Sequence, residues 1–314
     1  MLTPPPLKPG DTVAILSPAT TVRPEYIDGA ARFLEEHGFR ALVMPAAKGP
    51  AAGTYAATEE RRADDFMAAL ADPDVKAILC ARGGYGCVHL LPRVPLALVR
   101  NNPKWVIGFS DVSALHALMQ RAGVASLHAG MARHLCENPD TALSVATFLG
   151  LLGGATDVTY RFDAAAPDAP RVLLPGTARG TLRGGNLAVL DGLSGTGFDL
   201  LRILPDEDVI LFLEDVGEAV YRTERMLWRL WLDGTLSRVR GLVLGDFSES
   251  GEDINFGSPQ AMIEARLRQW GVSCPVVAGF PAGHVTGRNL PLVEGWDALL
   301  SADGLGVTLT MRQP

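Results

Sequence analysis

Three residue types that together can hydrolyse an amide stand close to the ends of apolar, β-prone runs. Ser110 follows Trp105 to Phe109, Glu214 follows Val209 to Leu213, and His284 lies just beyond Val276 to Phe280. In such a set the imidazole takes the serine proton as the hydroxyl attacks, and the carboxylate fixes the imidazole tautomer and stabilises the imidazolium. The tetrahedral intermediate needs two donors for its oxyanion. The N–H of Asp111, directly after the serine, is the natural first. A glycine amide of Arg82-Gly83-Gly84-Tyr85-Gly86 is a candidate second, because glycine lets backbone approach a substrate closely. Spacing alone does not join the three residues, and each has a plainer reading. Ser110 would serve equally as a helix N-cap. Asp215 and Glu218 suit the first turn of a following helix better than Glu214 does. His284, in the glycine-rich Pro281–Asn289 segment, reads by itself as a solvated loop residue. His116 reads as either core or surface, and His128 and His134 as possible substrate neighbours.

These residues need elements to carry them. Asp11 to Ser17, Phe39 to Met44, Val75 to Ala81 and Trp105 to Phe109 read as strands, with a short further strand at Ala125 to Leu127. Helices are expected from Pro24 to His37, from Thr58 to Leu70, from about Val112 to Gln120 and from Thr141 to Leu152. Alternation of this kind predicts a parallel sheet covered on both faces, with ligands bound at the carboxyl ends of the strands. The turns at Ser17, Arg82 and Ser110 are therefore expected on one edge. Composition changes near Gly153; Asp157 to Phe162 alternates apolar and polar as a half-exposed strand does, and Asp163 to Pro170 reads as a flexible connection. The expected organisation is α/β: a Rossmann-like parallel-sheet nucleophile domain at 1–155, a linker at 156–175, and a smaller β-rich α+β domain at 176–314 that carries the Glu and the His. Strands are expected in the latter at Arg179–Leu182, Asp208–Leu213, Gly241–Asp246, Pro275–Gly279 and Gly306–Met311, with helices at about 218–232 and 258–270.

The 314 residues are 47% hydrophobic and 20% charged, which suits one large or two ordinary domains with real cores. A net charge of −7 without a basic run argues against nucleic-acid binding. The cysteines at 80, 87, 136 and 274 form no Cys-x-x-Cys and no zinc spacing, so reduced thiols and no metal are expected. Met1 to Gly10 has neither a basic segment nor an apolar core, and no apolar run approaches the roughly 18–20 residues of a membrane span. A soluble, cytoplasmic protein without a membrane partner is expected.

Five motifs in order bring the residues together. RGGYG at 82–86, GFSDVSALH at 108–116, GGNL at 184–187, FLEDVGEAVYRTERML at 212–227 and GFPAGHVTGRNLPLVEG at 279–295 resemble the LD-carboxypeptidase family of serine peptidases, as does KPGDTVAILSPA at 8–19. The resemblance implies a Ser–His–Glu triad of Ser110, His284 and Glu214. It also implies an oxyanion hole of the Asp111 amide and a loop glycine, taken here as Gly84, with no cofactor and no metal. It implies a homodimer and release of terminal D-alanine from a cytoplasmic muropeptide tetrapeptide in peptidoglycan recycling. Arg82 and Tyr85 are candidate substrate contacts, Arg82 for the free carboxylate. A branch similar to the microcin C immunity peptidases cleaves an aminoacyl-nucleotide instead, and no residue excludes it. A non-catalytic small-molecule binding protein is the alternative of another class. A dinucleotide enzyme is disfavoured, since Ser17-Pro18-Ala19 follows the first strand where Gly-x-Gly-x-x-Gly would stand.

Overall fold

The computed structural model describes residues 1–136, 142–284 and 288–314. The chain divides into two compact units, Met1–Thr156 with Gly287–Gly295, and Asp157–Thr286 with Trp296–Pro314. The first unit contains β1 (Thr12–Leu16), β2 (Arg40–Val43), β3 (Val75–Cys80), β4 (Trp105–Gly108) and β5 (Ser126–His128). The second contains β6 (Asp157–Asp163), β7 (Arg171–Leu174), β8 (Gly176–Asn186), β9 (Val209–Val216), β10 (Gly241–Ser248) and β11 (Val276–Ala278). The chain then returns β12 (Leu292–Glu294) to the first unit, and β13 (Asp297–Asp303) and β14 (Gly306–Arg312) complete the second.

In the first unit the strand order is β12-β5-β4-β3-β1-β2. Strands β1 to β5 pair in parallel, and β12 runs antiparallel to β5. Val13, Ala14, Ile15, Ile78, Leu79, Val106 and Ile107 are fully buried, which is why these strands read as unbroken apolar runs rather than alternating ones. Helices α1 (Pro24–Glu36), α2 (Glu59–Ala71), α3 (Leu96–Asn101) and α4 (Ser113–Arg121) link them. Proline stands at the start of α1, Gly38 at φ +84° follows its end, and Thr58 accepts from the Arg61 N–H to cap α2. Because β1, β3 and β4 are adjacent and parallel, the turns leaving them share one edge of the sheet, as the alternation required.

The second unit is an eight-stranded mixed sheet, β6-β14-β13-β8-β9-β10-β11-β7. Its centre, β8 to β11, is parallel, and its flanks are antiparallel, with β13 and β14 forming a hairpin. Helices Val220–Leu232 and Pro259–Gln269 follow β9 and β10. The α/β class with a β-rich second half is therefore observed. The stretch 156–175, expected as a linker, carries the strand that the alternation of Asp157 to Phe162 signals, β6, which pairs along its whole length with β14, and also β7, which was not expected and pairs with β11. Nor is the division at one point of the chain. Leu292, Val293 and Glu294 are buried beside β5, a long-range pairing that local pattern does not announce. Among the described residues no helix is long and apolar enough to cross a membrane.

Candidate active site

In the first unit, Ser110 sits where β4 turns into α4 with φ +65°, one of two non-glycine residues of positive φ among those described. An N-cap residue takes extended backbone, so this conformation decides against the simple cap and for an elbow that projects the hydroxyl. Such a conformation costs on the order of 1–3 kcal/mol and persists only where its surroundings enforce it. Several contacts do so. A Cβ on Gly108 would lie 3.0 Å from both Val112 methyls and 3.2 Å from Cys80 Cβ, so only glycine admits the turn this close to β3. The Gly108 carbonyl accepts from the Ala129 N–H at 3.1 Å and from His116 Nε2 at 3.0 Å. His116 is fully buried, and burial pushes its imidazole down to about 4. It is therefore neutral, donating through Nε2 and accepting the Ser126 hydroxyl at Nδ1, 2.9 Å away. This histidine belongs to the core, where it braces the elbow.

The Arg82–Gly86 turn leaves β3 beside this elbow. A Cβ on Gly83 would lie 3.0 Å from Ser110 Cβ, 3.1 Å from the Asp111 nitrogen and 3.2 Å from Ser110 Oγ. The Gly83 carbonyl accepts from the Thr20 hydroxyl at 2.8 Å and from the Thr20 N–H at 3.3 Å. Peptide bonds here are trans, so the Gly84 N–H points opposite to that carbonyl. The Gly84 N–H therefore faces away from Thr20. Gly84 itself has φ +100°, and a Cβ there would fall 2.3 Å from Thr20 Oγ1. The buried Asp111 carboxylate accepts from the Cys87 N–H at 2.8 Å and locks the far end of the turn to the elbow. Arg82 donates to the Thr21 carbonyl at 3.0 Å, and Tyr85 is 57% exposed, so its ring is available to a ligand.

In the second unit, β9 delivers Glu214, fully buried, and the segment after β11 delivers His284. His284 Nδ1 donates to Glu214 Oε2 at 2.6 Å, which leaves Nε2 as the basic nitrogen. Room for the carboxylate is made by glycine on both sides. A Cβ on Gly283 would meet Glu214 Cγ at 2.6 Å, and one on Gly245 would meet Glu214 Cβ at 2.9 Å. Burial works to lower the His284 pKa, but the Glu214 hydrogen bond and charge, then the charges of Asp215 and Glu249, outweigh it and the net shift is upward. Asp215 is buried too and accepts from Asn186 Nδ2 at 3.0 Å, the Ala188 N–H at 3.0 Å and the Val216 N–H at 2.9 Å. Burial first, and the neighbouring Glu214 charge second, push it up to about 7. The GGNL motif explains itself here. Gly184 is pressed on the β9 backbone, where a Cβ would fall 1.7 Å from the Phe212 oxygen, and Asn186, in register with Glu214, caps the helix that begins at Leu187. Of the 279–295 motif, residues 285–287 lie outside the described residues.

The sequence reading thus finds its residues in two sets: Ser110 with Asp111, Gly83 and Gly84 in the first unit, and Glu214 with His284 in the second. Comparison with known proteins gives both sets one context. The N-terminal domain of the LD-carboxypeptidases, peptidase family S66, matches residues 13–129, and the C-terminal domain of the same family matches 179–300. The chain belongs to the LD-carboxypeptidase family. It is a serine-type carboxypeptidase, a hydrolase. Family membership covers Ser110, Asp111 and the glycine turn with the first domain, and Glu214 and His284 with the second. The murein tetrapeptide carboxypeptidase of Pseudomonas aeruginosa is 32% identical over 87% of this chain and 87% of its own. The muramoyltetrapeptide carboxypeptidase from Oxalobacter formigenes superposes with a TM-score of 0.81 at 28% identity, covering 96% of this chain and 99% of that one. The microcin C7 self-immunity protein MccF of Escherichia coli is 25% identical over 97% of this chain and 94% of its own.

Thr20 and Gly245, which shape the site, were not singled out from sequence, Asn186 entered only as part of GGNL, and Arg62, which donates to the Gly86 carbonyl of the glycine turn at 2.9 Å, was not singled out either. For Arg62 a signal existed. It occupies the face of α2 that also buries Phe66 and Leu70, a charge where the helical period calls for an apolar side chain.

Proposed function

We propose that this carboxypeptidase releases the terminal D-alanine of a muropeptide tetrapeptide by a Ser110–His284–Glu214 relay. His284 Nε2 takes the Ser110 proton as Oγ attacks the carbonyl of the penultimate, L-configured residue. The oxyanion accepts from the Asp111 and Gly84 N–H groups. Collapse forms the acyl-enzyme, the amine of D-alanine leaves with the proton held by His284, and water attacks the ester by the same route to restore Ser110. The exposed guanidinium of Arg82 suits the free carboxylate of the D-alanine, and Tyr85 suits the flank of the peptide. The observation that carries this reading is the 2.6 Å bond between His284 Nδ1 and a fully buried carboxylate, which makes Nε2 a base. The substrate class is supported by the named activities of the Pseudomonas and Oxalobacter proteins.

The test is a panel of a muramoyl tetrapeptide, its all-L counterpart and a microcin-type aminoacyl-nucleotide, with products read by mass. Release of free D-alanine from the first alone, lost in Ser110→Ala, is the expected result. Cleavage of the nucleotide with the tetrapeptide untouched would move the protein to the immunity branch. Turnover of none of the three, with no labelling of Ser110 by a serine-directed phosphonate, would leave a binding protein.

A further inference from the structure

We propose that Arg62 is a positioning residue for the oxyanion hole: it holds the glycine turn so that the Gly84 N–H keeps its aim. Arg62 is 1% exposed, on the buried face of α2, and no reacting atom touches it. A guanidinium is costly to bury unless its N–H groups are spent on acceptors. Here they are, and the acceptors lie on distinct turns. Nε donates to the Ala57 carbonyl at 3.2 Å, Nη1 to the Pro18 carbonyl and to the Gly86 carbonyl, the latter at 2.9 Å, and Nη2 to His89 Nδ1 at 3.0 Å. The Tyr55 ring covers the cation at 5.1 Å.

Pro18 belongs to the turn leaving β1, which also supplies Thr20, and Gly86 closes the turn leaving β3. One planar cation thus fastens together the two backbone segments whose separation sets the Gly83–Gly84 peptide. Thr20 grips that peptide from the β1 side and Asp111 grips Cys87 from the β4 side. Gly86, at φ +132°, is glycine for this reason, since a Cβ would stand 2.9 Å from Arg62 Nη1. The turn is therefore held at 83, 86 and 87, and its exposed glycine amide is left between fixed points. A lysine carries its three N–H donors on one nitrogen and lacks the planar fork with which Arg62 reaches carbonyls on separate turns.

The proposal rests on the serine-relay reading, and the experiment separates the two. Steady-state kinetics on the tetrapeptide are measured for wild type, Ser110→Ala, Arg62→Lys, Thr20→Val and the Arg62→Lys/Thr20→Val pair. Affinity for a peptide boronate, whose tetrahedral serine adduct presents an oxygen to the same donors, is measured alongside. Losing one oxyanion donor typically costs about 10²–10³ in kcat, so a misaimed one in Arg62→Lys is expected to cost about 10- to 100-fold. KM should stay within about threefold, because the loss is confined to the transition state, and boronate affinity should fall by the same factor as kcat. Thr20→Val should act in the same direction and less than additively with Arg62→Lys, since both reach the same amide. Added guanidinium should restore part of the rate to Arg62→Ala. A folded Arg62→Lys enzyme with wild-type kcat and boronate affinity, or one whose loss lies in KM, overturns the proposal while Ser110→Ala stays inactive. If Ser110→Ala retains wild-type turnover, the relay and this proposal fall together. If neither Arg62 variant folds, Thr20→Val decides by the same two readouts.

Discussion

His284 carries a raised pKa, and its sign sets the pH profile. In the proposed relay only the neutral ring can accept the Ser110 proton, so kcat/KM of the free enzyme is expected to rise with pH through a midpoint above the ordinary 6.5 of histidine. Glu214→Gln removes the charge that helps raise it and puts an amide donor where a carboxylate oxygen stood. That variant should shift the midpoint down and reduce kcat by about 10⁴, the cost of holding the imidazole in the wrong tautomer. A flat profile from pH 5 to 8 in wild type would remove His284 as the base. The same shifts bear on stability. A histidine raised in the folded state adds stability that is complete below its unfolded pKa and is lost as pH rises through the folded one. Asp215, raised to about 7, binds its proton more tightly folded than unfolded, so its contribution also falls as pH rises from about 4 through 7. Asp215→Asn is expected to flatten the fall of unfolding free energy over that window, measured by denaturant titration at several pH values. An unchanged slope would show that Asp215 ionises freely in the fold.

At the scale of elements, the site depends on strand ends that approach more closely than side chains permit. Gly283 has φ +95° and would put a Cβ 2.6 Å from Glu214 Cγ. Gly283→Ala is therefore expected to fold, displace the carboxylate from His284 and lower kcat at least about 10²-fold with a downward shift of the pH midpoint. Wild-type kinetics in this variant would contradict the close approach. Gly184 is the contrasting case. Its Cβ would lie 1.7 Å from the Phe212 carbonyl oxygen within the β8–β9 ladder, and backbone in a sheet centre does not yield. Gly184→Ala should fail as soluble protein rather than as a catalyst. These strands were legible in the sequence, because β1, β3, β4, β9 and β10 are buried on both faces and so read as apolar runs. The flanking strands were less so. β6 was signalled by the alternation of Asp157 to Phe162, but β7 sits in the stretch expected as a linker, and β12 and β13 were not singled out. Their partners, β14, β11, β5 and β8, lie far away in sequence, and pairing rather than local propensity holds them.

At the scale of the whole molecule, the first unit is not closed until the chain has built most of the second. β12 covers the edge of β5, and Glu294 accepts from buried Gln120 Nε2 at 2.7 Å. A fragment of residues 1–156 is expected to expose the β5 edge, leave Gln120 unpaired and self-associate on size-exclusion chromatography. Fusing residues 288–295 to it through a flexible tether should restore a monomer with a higher melting temperature. A monomeric, equally stable fragment without that strand would show that β12 is dispensable.

Taken alone, the sequence determined which residue types stand at the strand ends, because burial on both faces of a parallel sheet demands continuous apolar runs and a polar residue just beyond one is conspicuous. It also carried the motifs that mark the family. The tertiary structure decided the backbone of Ser110, the His284–Glu214 bond, the service of His116 to the core and of Arg62 to the glycine turn, and the return of β12. The His284–Glu214 bond, the Arg62 contacts and the return of β12 join residues far apart along the chain, and all five features are fixed by packing and hydrogen-bond satisfaction in three dimensions, which local periodicity does not encode.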